Sequence, residues 1–559
     1  LIPVEKAEAG YAAAMQETFR ILREPPTDAE LERAKVSIEG DAVYERETAQ
    51  GLARKIGFYE AVAGGIGAEA RYNEAVKKLE PGAVARVAAK YLHPRNLSVS
   101  MLGPEKALPD TKRLAAIAAD AFREATAAPP RRKVSARAKE AETRHELPGG
   151  ATLIVREERA VPLVAIRSVF LGGLRFENDA NAGDTHLVAR LLCKGTETRS
   201  YAEIVRAVDR FAGGVSGFSG FNSFGVRMDA LSAHTAEAIE LYADILQRPS
   251  FEARELEHER TQVLESIRSM KDHPSAWAMR LFARALFTRH PYRLPILGDA
   301  ERVSRVEAPE LSSFYERIAV PRNLSLAVVG DVDTAEIVDR VGHALEGYGH
   351  GRTFLTPEVA PEPPVDRPRV VSEANDKEQV HMVLGFLGAS FRDPHRHALE
   401  LIATALSGQG GRLFLELRDR QGLAYSVTAF SQEALDPGYF AVYVATDPKK
   451  KERALDAIRK ELARLAHEGL SAEELARNQR QLVGSFEIDL QRAAARAANL
   501  AFNDRYGLGF QDYRNYPDRI LAVTREEIVD AARRFLDPER SVLAVVGPDA
   551  ESLSATAAG

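Results

Sequence analysis

The sequence predicts an α+β protein built from repeated lobes of about 220 residues, each an antiparallel sheet flanked by helices, with about two and a half lobes in 559 residues. Three observations predict it: a recurring turn, a second marker in the same register, and an alternation of strand-like and helix-like runs. The turn reads Pro94-Arg95-Asn96-Leu97-Ser98 followed by Gly103. It returns as Pro321-Arg322-Asn323-Leu324-Ser325 with Gly330, and more weakly as Pro538, Ser541 and Gly547. Each copy follows an aromatic helix end (Tyr91, Tyr315, Phe535) and leads into an apolar run, the pattern of a helix, a turn at proline and a buried strand. The copies lie 227 and 217 residues apart. Thr27-Asp28-Ala29-Glu30-Leu31 and Ser471-Ala472-Glu473-Glu474-Leu475 share the combined offset of 444, each reading as a polar helix cap.

Inside a full lobe, β-type runs (Ala151–Val155, Leu163–Leu171, Gly225–Leu231, Leu324–Val329) alternate with helical stretches (Thr185–Cys193, Ala236–Gln247, Ala253–Met270). The opening residues place Tyr11, Met15, Phe19 and Leu22 at helical spacing. The expected division follows from these registers. Residues 1–105 are the C-terminal part of one lobe, 106–144 a charged, Ala-rich linker with a hinge at Pro129-Pro130-Arg131-Arg132-Lys133, and 145–356 a complete lobe. Residues 357–368, with five prolines, form an extended tether, and 369–555 are a second complete lobe.

Composition narrows the function classes. The formal net charge is −6 with both signs interspersed, which leaves no footprint for nucleic acid. No apolar run approaches the roughly 18–20 residues of a spanning helix. One cysteine, Cys193, excludes an intrachain disulfide and any cysteine-based zinc cluster. A soluble protein of the cytoplasm or the periplasm fits equally well.

The first complete lobe opens with Leu147-Pro148-Gly149-Gly150-Ala151-Thr152-Leu153-Ile154-Val155, then Phe170-Leu171-Gly172-Gly173 and Glu177. Further on stand His290-Pro291-Tyr292, Pro295 and Gly298. The second contains Arg412-Leu413-Phe414, Leu417-Arg418 and Gly422-Leu423-Ala424-Tyr425-Ser426-Val427. In this order, over nearly the whole chain, these segments resemble the pitrilysin/insulinase zinc metallopeptidases, whose lobes have the LuxS/MPP-like metallopeptidase fold. The resemblance implies a four-lobe member of about 860 residues, of which this chain is the C-terminal, non-zinc-binding portion.

The family's active lobe carries H-x-x-E-H on a helix: two imidazoles one turn apart bind zinc, and the glutamate between them is the general base. A later glutamate completes the metal's ligands. The matching segment here is His186-Leu187-Val188-Ala189-Arg190, so Ala189 stands where the base belongs and Arg190 where the second imidazole belongs. A guanidinium stays protonated and cannot ligate a cation. On the distal helix Ser266 takes the place of the ligand glutamate, Glu259 matches a supporting acidic position, and Glu265 is one residue, about 100°, out of register. The expectation is a degenerate motif with no zinc in this chain and zinc in the absent N-terminal lobe. His186 alone reads as a structural histidine, and Cys193 as core.

Arg418 and Tyr425 match an arginine and a tyrosine that, in four-lobe members, project towards the zinc of the first lobe and hold the scissile carbonyl. Both are hydrogen-bond donors suited to a developing oxyanion. Gly213-Gly214, Gly217 and Gly220 match no phosphate-binding fingerprint and read as a loop and strand edge, where the family presents backbone to substrate. The implied partners are a peptide substrate and either the N-terminal half of the parent or a separate zinc-bearing subunit. The alternative is a non-catalytic scaffold of the same fold.

Overall fold

The computed structural model describes residues 7–20, 22, 26, 31, 34, 35, 38, 45–93, 96–99, 111–123 and 141–550 save 160, 350 and 549. Thr27–Glu30, Pro94, Arg95, Gly103 and the Pro129–Lys133 hinge lie outside the described residues. The N-terminal part is helical: α1 (Ala7–Arg20), α2 (Ala49–Ala61), α3 (Gly67–Lys77), α4 (Pro81–Tyr91) and α5 (Thr111–Arg123). Phe19, Leu22, Ala88 and Ala118 form its small core.

Two sheets follow. The first comprises β1 (Ala141–Glu146), β2 (Thr152–Glu157), β3 (Leu163–Leu171), β4 (Gly214–Ser219), β5 (Ser223–Leu231) and β6 (Leu324–Gly330), in the order β1-β2-β6-β3-β5-β4. Its helices are α6 (Asp184–Leu191), α7 (Tyr201–Arg210), α8 (Thr235–Gln247), α9 (Ala253–Met270), α10 (Pro274–Leu286), α11 (Ala300–Arg305), α12 (Ala308–Ile318) and α13 (Thr334–Ala344). The second sheet comprises β7 (Arg369–Glu373), β8 (Val380–Leu387), β9 (Ser426–Gln432), β10 (Tyr439–Thr446) and β11 (Val542–Val546), in the order β7-β11-β8-β10-β9. With it go α14 (Arg396–Leu406), α15 (Lys451–Glu468), α16 (Ala472–Asp489), α17 (Ala493–Arg505), α18 (Tyr516–Ala522) and α19 (Arg525–Phe535).

The sheets are mixed rather than antiparallel, a correction to the sequence reading. β2 pairs with β6, and β7 with β11, in parallel. The strand that follows each Pro-x-Asn or Pro-x-Arg turn returns from the last long helix and enters the sheet from the same end as the lobe's opening strand, which sequence alternation cannot reveal. A second correction concerns 106–144. Leu114, Ile117 and Ala118 share a helical face, so α5 forms there and packs on α1. β1 is charged and sits at the sheet edge, where polar side chains are tolerated.

Each sheet has its own lobe's helices on one face and a helix of the other lobe on the opposite face. α10 leaves the first lobe and covers β8 and β11 of the second sheet, where Ala278, Phe282 and Leu286 meet Val383, Ala441, Val542 and Ala544. Gly385 makes room for this: a Cβ there would lie 2.4 Å from Phe282 Cζ. α17 covers β3 and β6 of the first sheet, with Ala497, Leu500 and Ala501 fully buried against Ile154, Ala165, Val169, Ala327 and Val329. Small residues on α17 let the helix lie close to the strands. Asp504 adds polar pins, accepting from Arg144 Nε at 2.8 Å and from Ser325 Oγ.

Residues 141–550 should therefore unfold as one unit. Phe282→Ala removes a fully buried ring from the second sheet although it belongs to the first lobe, at a cost of roughly 3–5 kcal/mol. Calorimetry should show a single shifted transition for both lobes; two separated transitions would contradict the exchange.

Candidate functional site

α6 carries His186, Ala189 and Arg190, three of the four positions expected to match the family's zinc motif. Its start is fixed by Glu177, whose carboxylate accepts the Gly183 N–H at 2.9 Å and the Thr185 N–H at 2.8 Å, satisfying donors left free at a helix N-terminus. Its flank lies against β4, where a Cβ on Gly217 would come 1.8 Å from the Ala189 carbonyl oxygen. Gly217 is thus required for backbone contact between helix and strand.

His186 Nδ1 lies 3.2 Å from Ser219 Oγ at the end of β4, while its buried Nε2 meets no partner among the described residues. Burial, then the neighbouring Arg190 charge, holds this imidazole down at about 4, so it is neutral at physiological pH. Ala189 is buried. Arg190 donates through Nε to Glu259 Oε2 and through Nη2 to Gln262 Oε1 at 2.7 Å. Lys194 Nζ sits 2.7 Å from the other Glu259 oxygen and 4.4 Å over the Tyr201 ring. Burial by itself raises the Glu259 carboxyl, but Lys194 and Arg190 outweigh it and hold the carboxyl below its usual range. Ser266 is exposed on α9 and donates its hydroxyl to the Gln262 carbonyl at 2.8 Å within the same helix.

These residues do not fit a zinc ion. The guanidinium of Arg190 occupies the carboxylate that faces the motif, two cations already balance that carboxylate, and one neutral imidazole supplies a single ligand nitrogen. Among the described residues no group of three or more His, Cys, Asp or Glu is arranged to hold a metal. Beside the cluster, a cavity of about 420 Å³ opens between α7 and β4, lined by Arg190, Lys194, Tyr201, Val205 and Ser216.

Arg418 and Tyr425 lie on the second sheet. Arg418 belongs to a π-helical turn, Phe414–Arg420, a rare geometry that widens the helix by one residue. Its guanidinium packs 5.0 Å from the Phe414 ring centre, and Nη1 donates to the Tyr425 carbonyl at 3.2 Å. Gly422, at φ +59°, turns the chain between them. The Tyr425 N–H then pairs with the Ala445 carbonyl at 2.9 Å, just before the edge strand β9. The Tyr425 side chain is 56% exposed and Arg418 is exposed too.

Residues 153–300 match the family described as insulinase (peptidase family M16), and 305–482 match the peptidase M16 inactive domain. An uncharacterized zinc protease of Streptomyces coelicolor is 30% identical over 421 residues, spanning 72% of this chain and 89% of the relative. The chain belongs to the insulinase peptidase family M16. Two solved structures share the fold of this M16 chain. A protease from Helicobacter pylori has 19% identity and a TM-score of 0.69, covering 73% of this chain and all of that one. A peptidase M16 inactive domain from Pseudomonas fluorescens has 21% identity and a TM-score of 0.68, covering 73% and 98%.

Among the residues singled out in the sequence, the structure brings Arg190 and Glu259 together, and joins Arg418 to Tyr425 through one hydrogen bond. Ser266 stays outside the cluster. Sequence reasoning missed Lys194 and Gln262 as the groups completing the Arg190–Glu259 cluster. No helical spacing signals this, because Lys194 lies in the turn after α6, which ends at Leu191.

If Arg190 serves to balance Glu259, Arg190→Ala should destabilise the M16 chain by roughly 1–3 kcal/mol. Adding Glu259→Gln should recover part of that loss. Denaturant melts of the single and double variants check this; strictly additive losses would contradict the charge pairing.

Proposed function

We propose that this chain is the substrate-handling, non-zinc-binding portion of a zinc endopeptidase that hydrolyses peptides in a closed chamber, with the zinc-bearing lobe supplied by a part of the parent N-terminal to residue 1. The observation that carries the reading is a contrast between the two lobes. The first lobe has spent its motif positions on an internal Arg190–Glu259–Lys194 cluster. The second keeps an arginine and a tyrosine exposed, side by side, at the mouth of an edge strand.

That pairing suits a peptide laid along β9. An edge strand offers unpaired backbone groups to an extended peptide, and the same holds for β4 in the first sheet. Arg418 and the Tyr425 hydroxyl then supply fixed donors to a peptide carbonyl oxygen as it gains charge. The π-helical turn and the Tyr425 carbonyl already constrain the guanidinium, so little order is lost when substrate arrives. In this reading Arg418 and Tyr425 are the catalytic residues of the chain, while His186, Ala189, Arg190 and Ser266 are structural remnants.

The register of the helices supports a preceding lobe. α2 and α17 have bounds 444 residues apart at both ends, as do α4 and α19, and α1 and α15 begin 444 apart. Residues 1–105 accordingly read as the tail of a second lobe, and the parent as a four-lobe enzyme.

In the assembled peptidase, Tyr425→Phe and Arg418→Ala should each lower kcat by roughly 10²–10³-fold, the usual loss on removing one donor to a developing oxyanion. Tyr425→Phe is the cleaner probe, because it removes one exposed hydroxyl and leaves the ring. Turnover of a quenched fluorescent peptide, with a melting curve alongside, measures it. Full kcat/KM with an unchanged Tm would make the pair structural and favour a non-catalytic scaffold.

A further inference from the structure

Among the described residues, nine of the seventeen exposed large apolar side chains fall between Leu52 and Val99: Leu52, Ile56, Phe58, Val62, Ile66, Tyr72, Val87, Tyr91 and Val99. α2 contributes three of them on one helix. Its counterpart at the 444 offset, α17, buries the Ala497–Leu500–Ala501 face and half-buries Phe502. Ala53 matches Ala497, Ile56 matches Leu500, Gly57 matches Ala501, Phe58 matches Phe502 and Glu60 matches Asp504. In α17 this face seats on β3 and β6, Phe502 lies 5.6 Å from Phe218 of β4, and Asp504 takes Arg144 and Ser325. In α2, by contrast, Ile56 is 40% and Phe58 54% exposed.

The two helices also meet at their starts. The Ala49 N–H donates to Gln491 Oε1 at 2.7 Å, and the Ala493 N–H donates to Glu47 Oε1. Ala49 and Ala493 are 444 apart, and so are Glu47 and Gln491. Exchanging the copies turns one hydrogen bond into the other, which is the reciprocity of a two-fold relation.

We infer that the Ala53–Ile56–Gly57 face of α2, with Phe58 on its flank, seats on the outer sheet face of a further lobe of this kind, upstream in the same polypeptide, as the Ala497–Leu500–Ala501 face of α17 seats on β3 and β6. This rests on the four-lobe reading above and identifies which surface joins the missing lobe. α17 covers the lobe that immediately precedes its own in the chain, so α2, by register, covers the lobe before its own. A second copy of this chain does not fit, because α17 and α10 already occupy the outer faces of both its sheets. The contact is apolar, made by small and branched residues over a sheet of like side chains, with Glu60 placed to accept from an arginine or serine on the partner strands.

A photo-crosslinking amino acid at Phe58, and in a second variant at Phe502, tests this in cells producing the natural gene product. Both rings are at least partly accessible and neither belongs to the proposed catalytic pair. The Phe502 variant is the internal standard and should crosslink to β4 near Phe218. The Phe58 variant should crosslink, at comparable yield, to an upstream segment of the same polypeptide that lies in a strand of an M16-type lobe, and Glu60→Arg should reduce that yield. Crosslinks to a second copy, to a different polypeptide, or none while Phe502 reacts, would overturn the inference. A crosslinked upstream lobe without H-x-x-E-H would uphold the docking and remove the zinc reading, so the two fail separately.

Discussion

Two helices exchanged between lobes hold this molecule in its shape. A mixed sheet has two faces to cover, and each lobe's own helices serve only one of them. α10 and α17 cover the other faces, each on the neighbouring lobe's strands. The exchange explains otherwise puzzling local choices. Gly385 interrupts an apolar strand because the Phe282 ring must lie against it, and α17 is alanine-rich because its axis runs close to β3 and β6. Polar pins follow the same seams: Arg175 joins Asp436 at 2.6 Å, Tyr513 joins Glu142 at 2.7 Å, and Asp504 joins Arg144.

With both outer faces occupied, the accessible parts of each sheet are its edges. β4 and β9 are the matching edge strands of the two sheets, and both candidate features sit beside them. At β4 the charged side chains of and beside α6 turn inward. Arg190 and Lys194 neutralise Glu259, a carboxylate that is 1% exposed and would be costly alone. At β9 the side chains turn outward. The same frame thus carries one edge given over to internal charge balance and another that presents donors to solvent.

Much of this was legible in the sequence, for physical reasons that differ by element. The helices α8 and α9 follow directly from apolar periodicity, because burial of one face is decided locally, and β3 from a short near-continuous apolar run that both faces bury. The expectation that Ala189, Arg190 and Ser266 supply no zinc ligand rests on side-chain chemistry alone. What was not legible depends on contacts distant in sequence. The parallel pairing of β2 with β6 joins segments about 170 residues apart, and nothing in either strand encodes direction. The covering roles of α10 and α17 were invisible for the same reason: an amphipathic helix declares an apolar face but not its partner. Helix α5 reads as linker in the sequence because charge and alanine dominate it and outweigh its short apolar stripe of Leu114, Ile117 and Ala118. The π-helical turn at Arg418 has no sequence signature.

Side-chain cations, in place of a metal, balance the buried carboxylate facing α6. Elemental analysis of the purified protein after zinc loading and exhaustive dialysis checks this. Far less than one zinc per chain is expected, with no change on His186→Ala. About one zinc per chain, lost in that variant, would contradict it.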